Sequence, residues 1–150
     1  MPRKTPKARA LRDAVRQLIV SHRALDQARR PCGTALPLPY AYALLELLHS
    51  AEPMTVTALA QRLTIDRTNV SRLCARMQTL GELSMQPHPE DARARTLALT
   101  DKGRAVAQAV DASSAAYFEG IEQTLGDSVA DVIEALELLG SAMVLSEDED

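Results

Sequence analysis

Residues 54–104 read MTVTALAQRLTIDRTNVSRLCARMQTLGELSMQPHPEDARARTLALTDKGR, and the order of elements in this stretch decides the fold. Thr55 suits the N-cap of a short helix that turns Val56, Leu59, Ala60 and Leu63 inward. The polar turn Leu63-Thr64-Ile65 follows. Asp66 then suits the N-cap of a second helix running to about Leu80, with Gly81 as its left-handed terminator. Leu83 and Met85, then Leu97 and Leu99, alternate with polar residues and read as two strands of a hairpin. The loop between them, QPHPEDARAR, holds two prolines and two arginines. Thr100 caps the start of a long helix that reaches about Leu125.

At 100° per residue the second helix divides into two faces. Val70, Leu73, Cys74, Met77 and Leu80 form the side expected to be buried. Thr68, Arg72, Ala75 and Thr79 point the other way, with Ser71 and Arg76 on the flanks and Arg67 and Asn69 in the first turn. That face is basic, hydroxylic and small at Ala75, which suits close approach to a polyanion. Arg can pair with guanine and Asn with adenine in bidentate fashion, and recognition helices enter the major groove N-terminal end first. The competing reading is an ordinary solvated helix face. In the hairpin loop, Arg93 and Arg95 are two residues apart and on an extended segment would project to one side. Arginine reaches into a narrow minor groove, where the potential is most negative. Asp91 can pair with Arg93 or with a backbone amide and stiffen the loop; the competing reading is a surface ion pair of little weight.

Outward from this stretch, Leu11, Val15, Leu18, Ile19 and Leu25 recur at helical spacing over Ala8 to about Arg29. PCGTALPLP (31–39) breaks the pattern, and Tyr40 to Ser50 reads as a second helix with Pro39 in its first turn. After Gly126 and Asp127 a last helix runs to about Val144, with Val129, Val132, Ile133, Leu136, Leu139 and Met143 on one face. The chain has 150 residues, about one domain, and lacks Trp. Tyr40, Tyr42, Tyr117 and Phe118 are its aromatics, so the core must be aliphatic and packed from helices. The fold class expected is mainly α with a small β-hairpin wing.

The net charge of −3 conceals strong segregation. Residues 1–30 hold nine Lys/Arg against Asp13 and Asp26, residues 54–104 hold eight against five acids, and residues 105–150 hold eleven acids with neither Lys nor Arg. Opposite blocks at the two ends suggest that the ends meet, within one chain or across a dimer; two solvated faces of opposite sign are the alternative. Residues 146–150, SEDED, read as an acidic tail. No apolar run of ~18 residues indicates a membrane span. The Arg-rich start has no unbroken apolar region, which argues against a secretory signal, while its acid-poor, Ala-rich composition leaves an organellar presequence as a minor alternative. With only Cys32 and Cys74, a reducing, cytoplasmic setting is the default.

The pieces TVTALAQRL, LTIDRTNVSRLCARMQTLGEL and PEDARARTLALTDKGR resemble the multiple-antibiotic-resistance regulator (MarR) family of winged helix-turn-helix repressors. The resemblance rests on Leu59-Ala60, on Gly81, on Asp91-Ala92-Arg93 and on Leu99-Thr100-Asp101-Lys102-Gly103, and these motifs cover about a third of the chain. A departure lies in the strand after Gly81, where Ser84 and Met85 stand near a position that often carries a basic residue. The resemblance implies a winged helix-turn-helix over 40–104, flanked by dimerisation helices at 8–30 and 105–145. It implies a homodimeric transcriptional regulator, a repressor, that binds double-stranded DNA at a pseudopalindromic operator. Arg67, Thr68, Asn69, Ser71, Arg72 and Arg76 would be the contacts from the recognition helix, and Asp91, Arg93 and Arg95 those from the wing.

Such repressors often take a small phenolic or aromatic effector between the dimer helices and the winged part. His22, Tyr40, Tyr42 and Tyr117 are the candidates here, with ordinary packing as the competing reading of each. His49 can simply complement a helix C-terminus. Cys32, in a proline-rich loop, could be an exposed redox-active thiol, and Cys74 is expected in the core. No cofactor is expected. His22, His49 and His88 are scattered, which argues against a zinc site. No nucleophile, phosphate-loop or paired-carboxylate motif stands out, so an enzyme is not expected. A winged-helix module that binds protein instead of DNA is the alternative reading.

Overall fold

The computed structural model describes residues 6–28, 36–91 and 93–145, and for 22–28, 144 and 145 it describes the backbone alone. Cys32, Ala92 and the tail 146–150 lie outside the described residues, as does the His22 side chain. The elements run α1 (Pro6–Ala28), α2 (Leu38–His49), α3 (Val56–Leu63), α4 (Arg67–Thr79), β1 (Leu83–Pro87), β2 (Arg95–Leu99), α5 (Asp101–Leu125), a 3-10 turn (Gly126–Ser128) and α6 (Val129–Leu145). The chain divides into two compact units, Met1–Ser114 and Ala115–Asp150. Among the described residues no helix is long and apolar enough to cross a membrane.

In the first unit α2 packs against α3 and β2, α3 against α4, and α4 against β1. The core is aliphatic apart from one tyrosine. Tyr40, Leu44, Leu59, Val70, Met77 and Val110 are its largest fully buried side chains. Helix α2 begins two residues before the expected Tyr40, because Leu38 and Pro39 enter its first turn, where a missing N–H costs nothing.

Three local devices fix the helix-turn-helix. The Thr55 hydroxyl accepts from the Ala58 amide at 3.1 Å and caps α3. The Asp66 carboxylate accepts from the Asn69 amide at 3.0 Å and caps α4. Between them Thr64 adopts a left-handed conformation, φ 52°, with its amide on the Gln61 carbonyl and the Ile65 amide on that of Ala60. This is a Schellman turn made without glycine. At the other end of α4 the same turn recurs with Gly81 at φ 71°, its amide on Gln78 and that of Glu82 on Met77.

The hairpin pairs Leu83 with Leu99 and Met85 with Leu97 in antiparallel register. Met54 adds a bridge to Leu97, whose amide donates to the Met54 carbonyl at 2.7 Å. Leu83 and Leu97 are buried while Met85 and Leu99 are half-buried, so each of the two pairs puts one leucine into the core. Helix α5 starts where expected, with the Thr100 hydroxyl accepting from the Gly103 amide at 3.1 Å.

One packing expectation fails. Leu80 is 42% exposed although the helical angles put it on the buried face. It is the residue that ends α4, where the chain turns toward Gly81, so the 100° projection no longer applies.

In the second unit α6 starts at Val129 after the 3-10 turn over Gly126–Ser128. On its expected apolar face Ile133, Leu136 and Met143 are each at least half exposed, while Val129, Val132 and Leu139 are half-buried. The apolar stripe of α1 is likewise exposed at Leu11, Leu18 and Ile19.

Candidate nucleic-acid interface

The exposed side of α4 carries every side chain assigned to it from the helical angles. Arg67, Thr68, Asn69, Ser71, Arg72, Ala75 and Arg76 are all exposed. Val70, Cys74 and Met77 hold the helix from beneath, and Leu73 is half-buried. The cap on Asp66 leaves the remaining amides of the first turn facing outward, at the positive end of the helix dipole.

The three arginines of α4 stand in different situations. The Arg67 Nε donates to the Thr57 hydroxyl at 3.1 Å and so spans the two helices of the helix-turn-helix. The Arg76 guanidinium lies over the ring of Tyr40, 5.6 Å from its centroid. Among the described residues Arg72 has no hydrogen-bond or ion-pair partner. It is the arginine of α4 that no other described side chain engages.

The hairpin loop is stiffened as one of the two sequence alternatives had it. The Asp91 carboxylate accepts from the Arg93 backbone amide at 2.9 Å, and the Asp91 carbonyl accepts from Ala94 at 3.0 Å. The His88 amide donates to Ala94 and closes the loop. Arg93 therefore sits in the turn, and only Arg95 belongs to β2. They still share a side. Both line one cleft of about 360 Å3 together with Arg67, Thr55 and Thr57. Three guanidinium-bearing residues on one cleft concentrate positive potential between the wing and the start of α4. Thr55 and Thr57 were not singled out for this role. Their Thr-x-Thr spacing at the head of α3 is the signal that pointed to them.

The aromatic candidates have different surroundings. Tyr40 is 1% exposed and its hydroxyl donates to the Glu82 carboxylate, so it is a core residue. Burial and the neighbouring carboxylate push its phenol well above the usual tyrosine range. Tyr42 is on the surface of α2. Tyr117 belongs to the second unit and packs edge-on against Phe118, centroids 5.3 Å apart. His49 ends α2 and lies 3.0 Å from the Asp111 carboxylate of α5, a pairing that helical spacing alone does not suggest. Burial pushes the Cys74 thiol up to about 11, as expected of a core cysteine.

Glu82 was not anticipated either. It is 7% exposed and bonded to a residue 42 positions away. The signal for it in the sequence was an acid wedged between Gly81 and Leu83, where the chain has to turn inward.

The MarR family model matches residues 36–94. No curated protein matches the chain. Among solved structures, a MarR family regulator from Neisseria meningitidis is 20% identical, with a TM-score of 0.71 over 97% of this chain and 99% of its own. The PcaV transcriptional regulator from Streptomyces coelicolor, solved with its natural ligand, is 21% identical, with a TM-score of 0.67 over 87% and 90%. BpsR from Bordetella bronchiseptica, whose DNA binding is regulated by 6-hydroxynicotinic acid, is 21% identical, with a TM-score of 0.65 over 87% and 91%. These likenesses show a shared fold. The family model covers the helix-turn-helix, β1 and the hairpin loop, and over that segment the chain resembles the MarR family of winged-helix transcriptional regulators.

Proposed function

We propose that this chain is a repressor that binds a pseudopalindromic operator as a homodimer and is released by a small aromatic ligand. Two observations carry the reading: Arg72, without a partner among the described residues, is exposed on α4, and Arg67, Arg93 and Arg95 line one cleft. In this reading Arg72, Thr68, Asn69 and Ser71 meet base edges and phosphates in the major groove, and Arg93 and Arg95 reach the adjacent backbone or minor groove. Asp91 holds the wing turn that presents them.

The homodimer is supported by the exposed apolar residues of α1 and α6, which a monomer would leave in water. Two recognition helices would then enter successive major grooves about 34 Å apart. The aromatic effector is supported by the relatives, PcaV and BpsR, that are described with small ligands. Of the aromatic hydroxyls in this chain, Tyr42 and Tyr117 are open to it, since that of Tyr40 is engaged by Glu82. Selection of bound duplexes from a random pool tests the reading. Recovery of a two-fold-symmetric sequence supports it, and failure to enrich any duplex favours a protein-binding winged-helix module.

A further inference from the structure

Three side chains from separate segments meet at the C-terminal end of α4. Tyr40 of α2 is buried and its hydroxyl donates to the Glu82 carboxylate. Arg76, in the last turn of α4, lays its guanidinium over the same ring, 5.6 Å from the centroid. Glu82 is also held through its backbone, its amide donating to Met77 of α4 at 2.9 Å and its carbonyl accepting from Thr100 at 3.1 Å. The ring of Tyr40 thus has one end tied to the segment that leaves α4 and its face tied to α4 itself.

A guanidinium stacked on an aromatic ring of its own chain is restrained by the ring's negative face. Arg72, one turn earlier, has no such restraint among the described residues. Both arginines are exposed, yet among the described residues only Arg76 is engaged by the protein. The buried side chain adds direction, because a polar group with so little exposure needs its hydrogen-bond partner.

We propose that Arg76, Tyr40 and Glu82 form a positioning clamp, in which Arg76 orients the recognition helix through the Tyr40 ring and does not itself neutralise a phosphate. The inference rests on the DNA-binding reading above, and it revises the place of Arg76 among the expected DNA contacts. The clamp fixes the angle at which α4 presents Thr68, Asn69 and Arg72, so loosening it weakens recognition without removing a charge from the interface.

The test uses the full-length chain and a duplex enriched from the random pool, with affinity followed against KCl. Arg76 is exposed, so Arg76→Ala should fold, and a melting curve confirms it. The clamp predicts that Arg76→Ala weakens binding about tenfold at each salt concentration while the slope of log affinity on log salt stays at the wild-type value. Removal of a phosphate-neutralising charge from both protomers would instead lower the slope by about 1.8, since each neutralised phosphate contributes about 0.9. Tyr40→Phe keeps the ring and removes the donor, and should weaken binding with the slope intact. Glu82→Gln can still accept from the phenol and should stay within about threefold of wild type. A reduced slope for Arg76→Ala, or unchanged affinity in both Arg76→Ala and Tyr40→Phe, overturns the clamp alone. If the wild-type chain shows no salt-dependent duplex binding, the DNA-binding reading fails and the clamp's role fails with it.

Discussion

A Cβ placed on Gly103 would lie 1.9 Å from the carbonyl oxygen of Glu82. Helix α5 therefore starts against the backbone that leaves α4, closer than any side chain allows. The contact is part of a wider lock. The Thr100 hydroxyl donates to the Gly81 carbonyl at 2.7 Å, and the Lys102 ammonium donates to that of Leu80 at 2.6 Å. The orphan carbonyls at the end of α4 are thus taken by the first turn of α5. This is the physical content of the Leu99-Thr100-Asp101-Lys102-Gly103 motif.

Gly103→Ala should destabilise the first unit, because backbone on both sides has to move. Overpacking of this kind costs about 1–3 kcal/mol. Urea unfolding should show a lower midpoint, whereas Gly120→Ala, a site with open space around it, should not lower it. Equal midpoints for the two variants would contradict the lock.

Thr64 is the non-glycine residue at positive φ among the described residues, and it ends α3. A left-handed conformation costs an L-residue about 1–2 kcal/mol, and glycine gives back about 0.5–1 through its larger entropy loss. Thr64→Gly should therefore raise stability by up to about 1 kcal/mol. A clear drop in the unfolding midpoint would show that the Thr64 side chain makes a compensating contact.

Cys74 sets a pH dependence whose sign follows from burial. Its folded value, about 11, exceeds that of an exposed thiol, ~8.5. The unfolded chain ionises first, so the thiol's contribution is full below about pH 8.5 and is lost as pH rises toward 11. Tyr40 is raised too and adds a loss of the same sign, starting about where an exposed tyrosine ionises, pH ~10. Between about pH 8.5 and 10 the decline should come mainly from Cys74 and be flatter in Cys74→Ala. An equally steep decline in that variant would place the cause elsewhere.

The segregated charge makes a prediction for the dimer. Residues 1–30 are strongly basic and residues 105–150 carry only acids among their charged side chains. If these blocks face each other across protomers, the dimer dissociation constant rises with ionic strength and on deletion of residues 1–12. Sedimentation at two salt concentrations decides it. A salt-independent, deletion-independent dimer means that the apolar faces alone hold it.

Much of the fold was legible because its signals are local. Asp66 and Thr55 cap as side chains three residues from their amide partners, Gly81 terminates as glycine does, and the alternation of Leu83, Met85, Leu97 and Leu99 fixed the hairpin. What escaped was long-range or terminal. Tyr40 and Glu82 are 42 residues apart, and neither periodicity nor spacing couples them. Leu80 was misplaced because the helix ends beneath it. Arg93 and Arg95 share a side, but through a turn held by Asp91 and not through strand alternation. The angles that put Arg72 outward and Arg76 on the flank could not show that Arg76 is engaged, because its partner is an aromatic ring on another helix.

The central claim is that the exposed face of α4 and the wing arginines grip DNA as a dimer. The most direct measurement is duplex affinity against salt for the wild-type chain, Arg72→Ala and the Arg93→Ala/Arg95→Ala pair. The account predicts a steep wild-type slope, reduced by about 1.8 in Arg72→Ala and by up to about 3.6 in the wing pair, at about 0.9 for each phosphate no longer neutralised. Wild-type binding with a slope that none of these substitutions changes would contradict it.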